Sequence, residues 1–207
     1  MIALVDYKAG NLTSVQLAFD ALGVKAEITS NPQTIRDAEK VVFPGVGAAG
    51  ASMAHVRAMH LLDAMTESIA VGKPFLGICV GMQILFDYSE EDGGVDCMGI
   101  LPGQVQRFRP SNPLCKIPHM GWNTVRLVRE HPLLAGIEND SEFYFVHSYG
   151  PCAATEAHIL GHTHYADLTF TSIAARDNLV AVQFHPERSG RIGLQLLRNF
   201  TAWDGSC

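Results

Sequence analysis

The sequence predicts a three-layer α/β fold with a mostly parallel central sheet to which antiparallel strands are added. Three observations carry that expectation. Up to Cys79 the chain alternates short apolar runs with stretches of helical period, the order that lays helices on both faces of a parallel sheet. Beyond Cys97 that period disappears until the last stretch, and short strand-like runs broken by Pro, Gly and Asn replace it. Apolar residues make up 47% of the 207, enough for a large core, and no linker, repeat or low-complexity segment divides them. One domain over residues 1–207 is the expected organisation.

Ile2 to Asp6 is an apolar run of strand length. Leu12, Val15, Phe19 and Leu22 then recur at helical spacing, with Gly23 as the stop. Lys25 to Thr29 reads as a short second strand, and Val41-Val42-Phe43 as another, ended by Pro44-Gly45. Helical period holds from Ser52 to Val71 with a break near His60, and Gly72 ends it. Pro74-Phe75-Leu76 is a strand, and Met82, Ile84, Leu85 and Phe86 form an apolar helix shortly after. In the second half Gln104 to Phe108, Thr124 to Val128, Glu142 to Val146 and His158 to Leu160 are expected strands. Phe170 to Ala175 and Leu179 to Phe184 flank Arg176-Asp177-Asn178, a hairpin signal. The last helix runs from Arg191 to Phe200 with Ile192, Leu196 and Phe200 on one stripe.

Composition excludes several classes. Fifteen basic against 21 acidic residues leave a net charge of −6, with no basic run, so nucleic acid is not an expected partner. No apolar stretch approaches the roughly 20 residues that span a bilayer, and Met1-Ile2-Ala3-Leu4-Val5-Asp6 lacks the basic region of a signal peptide. The five cysteines, Cys79, Cys97, Cys115, Cys152 and Cys207, are odd in number and lack Cys-x-x-Cys spacing. That is neither a disulfide framework nor a zinc site, and a cytoplasmic, reducing setting is expected.

The chemistry gathers at Gly77-Ile78-Cys79-Val80-Gly81, a strand running into a turn and then a helix, which is the cysteine form of a nucleophile elbow. Glycines let the backbone turn sharply and let neighbouring chain come close. Free N–H groups and the dipole at a helix start favour a thiolate. Taken alone, the motif equally fits a buried structural cysteine. Far downstream, Gln183-Phe184-His185-Pro186-Glu187 offers a base and a carboxylate. Pro186 closes a strand, active sites of such sheets gather at strand carboxyl ends, and an extended path would put Glu187 on the same face as His185. The other reading of this pair is a surface histidine beside a solvated glutamate. Joined to Cys79 they fit a triad, whose members lie far apart in sequence and close in the fold. The chain is therefore expected to be a thiol hydrolase or acyl-transfer enzyme.

Three further motifs stay open at this level. Gly45-Val46-Gly47-Ala48-Ala49-Gly50 fits a dinucleotide fingerprint, although Pro44 stiffens its start and the acid at the right distance, Asp63, falls in an apolar helical pattern. It also fits a turn whose N–H groups line an oxyanion hole beside Cys79, or a plain glycine-rich turn. His158, His162 and His164 cluster without a Cys or acid to complete a metal set, and no metal is expected. Pro118-His119-Met120-Gly121-Trp122-Asn123 suits either buried core or a partner surface.

Gly77-Ile78-Cys79-Val80-Gly81-Met82-Gln83 and Phe184-His185-Pro186-Glu187 together resemble the signatures of the class I (triad) glutamine amidotransferases. Asp6-Tyr7-Lys8-Ala9-Gly10-Asn11-Leu12, Pro44-Gly45-Val46-Gly47, the Pro118 to Asn123 segment and Tyr144-Phe145-Val146-His147-Ser148-Tyr149 narrow the likeness to the glutaminase subunits of imidazole glycerol phosphate synthases. The resemblance covers nearly the whole chain. It implies that Cys79 attacks the carboxamide of L-glutamine, that His185 is acid and base, and that Glu187 orients His185. Backbone N–H groups of Val46 and Val80 would hold the oxyanion, and Gly47, Gln83, Ser148 and Tyr149 the amino-acid end of glutamine. Asn11, His119, Met120, Trp122, Asn123, Tyr144 and Arg188 would face a (β/α)₈-barrel cyclase subunit in a heterodimer, to which ammonia passes. No cofactor is implied. A barrel of about 250 residues does not fit within this chain, which is expected to be the glutaminase half alone. The family pattern also implies a nearly silent free subunit, and Gly45 and Gly47 flanking Val46 make rotation of that peptide the expected switch. Lys8 stands where the family usually has glycine, and Arg188 where it usually has lysine. A triad glutaminase that feeds pyridoxal phosphate synthesis, a non-catalytic dinucleotide-binding module and a peptidase or redox-sensing cysteine protein are the competing readings.

Overall fold

The computed structural model describes residues 1–8 and 12–206; Asn11 and Cys207 lie outside the described residues. The first half runs β1 (Ile2–Val5), α1 (Leu12–Ala21), β2 (Ala26–Thr29), α2 (Pro32–Asp37), β3 (Lys40–Gly45), α3 (Ala49–Ala58), α4 (Leu61–Ala70), β4 (Phe75–Cys79) and the single turn α5 (Val80–Gln83). The second half follows with β5 (Phe86–Ser89), β6 (Val95–Asp96), β7 (Leu101–Arg107), β8 (His119–Leu127), β9 (Ser141–His147), β10 (Tyr149–Ala153), β11 (Ile159–Tyr165), β12 (Leu168–Arg176), β13 (Leu179–Val182) and α6 (Gly190–Ala202).

Nine strands form one sheet in the order β2-β1-β3-β4-β13-β12-β11-β8-β9. From β2 to β13 every ladder is parallel, and from β13 to β9 every ladder is antiparallel. β1, β4 and β13 are buried along their whole length, as strands covered on both faces must be. The helices make two groups: α1 packs with α6, and α4 packs with α2 and α3. Phe19 of α1 meets Phe200 of α6 at 6.5 Å between ring centres. A second sheet, β10-β7-β5-β6, lies beside the antiparallel half. Among the described residues no helix is long and apolar enough to cross a membrane.

The helix break at His60 is present, with that residue in a left-handed conformation at φ 55° between α3 and α4. The Asp177-Asn178 turn joins β12 to β13 as an antiparallel pair. Three expectations need correction, and one helix escaped the sequence pattern. β3 does not stop before Pro44-Gly45 but pairs through them, Pro44 with Ile78 and Gly45 with Cys79. β1 leaves β3 after Val42, so Pro44 has a ladder neighbour on one side only and its missing N–H costs no bond. The apolar helix after Cys79 is one turn long, and Phe86 already belongs to β5; burial on all sides, not helical period, explains that apolar run. The strand expected at His158 to Leu160 starts at Ile159 and extends to Tyr165. α2 was not legible as a helix because it is short; Asn31 caps it, accepting from the Gln33 N–H at 2.8 Å, and Pro32 opens it.

Candidate active site

The parallel register assembles the site. All strands of that half end at one edge. Gly45 is the ladder partner of Cys79 on one side, and Val182 pairs with Ile78 on the other. Val46 and Gly47 therefore leave the sheet on one flank of Cys79, while Gln183 leaves it on the other, with His185 two residues further on.

Cys79 sits at φ 56°, ψ −113°, a conformation that costs a non-glycine residue about 1–3 kcal/mol. Packing enforces it. A Cβ on Gly81 would lie 1.9 Å from the Phe43 carbonyl oxygen, and one on Gly77 would lie 2.8 Å from Leu85 Cδ1. A Cβ on Gly45 would lie 2.7 Å from the Tyr7 hydroxyl and 2.8 Å from the Gly81 nitrogen. Tyr7 is buried, and burial raises its phenol to about 12. Lys8, at the position where the family usually carries glycine, takes φ 67°, a left-handed conformation natural to glycine.

His185 and Glu187 are neither exposed nor on one strand face. The strand ends at Val182, and Pro186–Arg188 forms a tight 3-10 turn that brings Glu187 back under the imidazole. The side chains are 6% and 2% exposed, and His185 Nδ1 lies 2.8 Å from Glu187 Oε1. The carboxylate accepts from Nδ1–H, so Nε2 is the ring atom free for chemistry; it is buried and carries no hydrogen-bond partner. Burial opposes the imidazolium, but the Cys79 sulfur and then Glu187 outweigh it and raise His185 to about 10. The turn is fixed from both ends: the His185 N–H donates to Tyr144 C=O at 2.9 Å, and Ser189 Oγ donates to His185 C=O at 2.6 Å.

Above Cys79 opens a cleft of about 190 Å³. Val46, Gly47, Val80, Gln83 and His185 line one part of it, and Val146, His147, Ser148 and Tyr149 another. Glu91 also lines it, a residue that sequence reasoning passed over; the acidic run Glu90-Glu91-Asp92 was the available signal. Gln83 is 3% exposed and donates from Nε2 to Tyr149 C=O and to Gln183 Oε1, both at 3.0 Å. Gln183 Nε2 in turn lies 3.6 Å from Cys79 Sγ. A larger surface concavity of about 850 Å³ runs from Leu127 to Asn139, shares no lining residue with the cleft and holds no cysteine or serine.

Beside the cleft, the outer face of β8 and β9 carries Met120 and Trp122, 62% and 55% exposed. Trp122 meets Tyr144 edge-on at 6.1 Å, and the Arg188 guanidinium lies 4.3 Å above the Tyr144 ring. His119 and Asn123, expected on the same surface, point the other way because side chains alternate along a strand. His119 is 2% exposed and stacks on Phe145 and Tyr165. Asn123 bonds His119 and the His164 carbonyl.

The dinucleotide reading of Gly45 to Gly50 fails on charge. The N-terminus of α3 is already met by acid: Glu91 accepts from the Ala49 N–H at 2.7 Å, and a Cβ on Gly50 would lie 2.7 Å from Asp92 Oδ2. Two carboxylates repel a pyrophosphate there. His158, His162 and His164 do not converge, and His164 is engaged with Thr169 at 3.0 Å. Among the described residues no group of three or more His, Cys, Asp or Glu could hold a metal.

Residues 3–202 match the family described as Glutamine amidotransferase class-I. The chain belongs to the class-I glutamine amidotransferase family. Among the relatives of this amidotransferase, the imidazole glycerol phosphate synthase subunit HisH of Nitrosococcus oceani is 48% identical over 206 residues, covering 99% of this chain and 98% of its own. The HisH subunits of Pseudomonas syringae and Chloroflexus aurantiacus are each 47% identical, covering 99% and 98% of this chain and 98% and 96% of their own. Solved structures share the fold at low identity. A chain described as "Crystal structure of glutamine amidotransferase" matches with a TM-score of 0.74 at 17% identity over 98% of both chains. A chain of "Structure of PurLQS from Thermotoga maritima" matches with a TM-score of 0.74 at 17% identity over 97% of both.

Proposed function

We propose that this chain is the glutaminase subunit of an imidazole glycerol phosphate synthase, acting as one amidotransferase domain over residues 1–207 in cytoplasmic histidine biosynthesis. The observation that carries the reading is the buried Cys79, His185 and Glu187 constellation at a cleft sized for one amino acid, in a chain 48% identical to a HisH subunit over nearly its full length.

The geometry supports the following chemistry. The Cys79 thiolate attacks the carboxamide carbon of L-glutamine. Charge that develops on the carboxamide oxygen is met by the Val80 N–H at the start of α5 and by the Val46 N–H; one such donor is typically worth about 3 kcal/mol in the transition state. His185, protonated and oriented by Glu187, gives its Nε2 proton to the departing nitrogen, and ammonia leaves a thioester on Cys79. His185 then takes a proton from water, hydroxide attacks the thioester carbon, and glutamate departs as the thiolate is restored. Gln83, Gly47, Ser148 and Tyr149 hold the amino-acid end, with the Glu91 carboxylate available to the α-ammonium.

Met120, Trp122, Tyr144 and Arg188 form the partner face, and Trp and Arg anchors of this kind dominate interface energetics. The partner is a (β/α)₈-barrel cyclase in a heterodimer. Ammonia passes to it and is used to make imidazole glycerol phosphate and an aminoimidazole carboxamide ribonucleotide. The relatives named above favour this partner over a pyridoxal phosphate synthase. The glycine-flanked Val46, 37% exposed, is the switch that keeps the free subunit nearly silent. Glutamate release from glutamine tests the reading: low for the chain alone, strongly raised by a cyclase with its nucleotide ligand, and absent in Cys79→Ala. Full activity alone discards the switch, and no Cys79-dependent activity beside a working cyclase discards the function.

A further inference from the structure

We propose that Gln183 is a positioning residue for the Cys79 sulfur: its amide N–H holds the thiolate at the sheet edge, and the Tyr149 carbonyl, acting through Gln83, fixes that amide. The inference rests on the glutaminase reading of the site.

Gln183 is fully buried and follows Val182, the ladder partner of Ile78, so the register delivers it beside Cys79. Its Nε2 lies 3.6 Å from Sγ. Which end of the amide faces sulfur is decided by its neighbour. Gln183 Oε1 accepts from Gln83 Nε2 at 3.0 Å, and the same Gln83 nitrogen donates to the Tyr149 carbonyl at 3.0 Å. A carbonyl only accepts, so Gln83 must present N–H to it. Flipping Gln183 would set two amino groups against each other and a carbonyl oxygen against the thiolate.

The Tyr149 carbonyl also orders the next links. It accepts from His147 Nδ1–H at 2.8 Å, so His147 Nε2 is an acceptor and takes His119 Nδ1–H at 3.0 Å. His119 Nε2 then accepts from Asn123 Nδ2 at 3.1 Å, and that amino group also donates to His164 C=O at 3.0 Å. Every polarity from Asn123 to Sγ follows from two backbone carbonyls. Burial keeps both imidazoles neutral, lowering His119 to about 4 and His147 to about 3, so the chain brings no charge of its own. An amide donor supports the thiolate without giving up a proton, which leaves the His185 proton for the departing nitrogen.

The test reads the sulfur directly. Alkylation of Cys79 by iodoacetamide, followed on its own peptide by mass spectrometry, needs neither glutamine nor a partner. Loss of a hydrogen bond to a charged group predicts about a tenfold slower reaction at pH 7 in Gln183→Met, with the pH profile moved to higher pH. Gln83→Met, which frees the Gln183 amide to turn, gives a smaller fall, and the double variant is no slower than Gln183→Met alone. Wild-type alkylation in a Gln183→Met protein that melts normally overturns the proposal. Should that variant fail to fold, Gln183→Asn decides: it stays uncharged and draws the amide back by one methylene, out of reach of the sulfur, so slower alkylation supports the positioning role and an unchanged rate overturns it. Glutamate release by the wild-type chain with a cyclase is measured beside these. Its absence with slowed alkylation in the variants discards the glutaminase reading and leaves the Gln183 contact standing.

Discussion

The two walls of the cleft are built on opposite principles. On one wall, Gly77, Gly81 and Gly45 are each jammed against backbone or buried side chains, and they lock Cys79 in a strained conformation. On the other, Gly47 holds φ 95° with nothing within 4 Å of where its Cβ would be, and Val46 is 37% exposed. Cys79, the proposed nucleophile, is over-determined by packing, and Val46, the proposed second oxyanion donor, is not. Under the proposed function that asymmetry is useful: strain is kept where the attacking geometry must not relax, and freedom is kept at the peptide proposed to turn.

The comparison breaks most directly at Gly81. In Gly81→Ala the new methyl meets the Phe43 carbonyl oxygen 1.9 Å away, so the sheet or the elbow must shift. Overpacking against backbone predicts a loss of about 3 kcal/mol or more in urea unfolding, with glutaminase activity gone. A near-wild-type denaturation midpoint would show that the locked wall is not locked. Glu187→Gln comes next. The carboxylate that orients and charges His185 is lost while the shape stays, and kcat with the partner is expected to fall by roughly 10³-fold with little change in melting temperature.

The charge on His185 sharpens the picture by its sign. With its folded value raised from 6.5 to about 10, the imidazolium contributes stability that is complete below about pH 6.5 and is lost as pH rises through about 10. Cys79 is the strongest influence raising it, so Cys79→Ala should lower the pH at which the ring titrates by NMR. An unchanged titration would assign the whole effect to Glu187. Gly47→Ala is a milder change on the free wall. It has room but the wrong φ, and about 1 kcal/mol of stability is expected to go, together with a lower partner-stimulated rate. The smallest effect on the subunit itself is predicted for Trp122→Ala: unfolding within about 0.5 kcal/mol of wild type, but at least about tenfold weaker association with the cyclase by calorimetry.

Much of this was legible in the residues. Apolar runs without alternation mark β1, β4 and β13 because strands covered on both faces need no polar side. The elbow glycines and the Cys79, His185 and Glu187 set could be named from spacing and motif. Legibility failed where three-dimensional neighbours overrule local pattern. Met82, Ile84, Leu85 and Phe86 are apolar because everything around them is buried, and the chain there turns from one helical turn into a strand. His119 and Trp122 sit in one short motif, yet strand alternation sends the first into the core and the second to the surface.

Residue order alone pointed to the groups proposed to do chemistry, because the thiol between glycines and the distant histidine with its acid fit a triad once taken together, and local apolar periodicity set the parallel first half. How those groups meet was set by the folded chain. The 3-10 turn, not an extended strand, carries Glu187 to His185. The ladder places Gly45 and Gln183 on either side of Cys79. The orientation of each amide and imidazole from Asn123 to the sulfur depends on the Tyr149 and His164 carbonyls, which for every member but His147 lie far away along the chain. Hydrogen-bond polarity and register are properties of neighbours in space, and a linear pattern does not contain them.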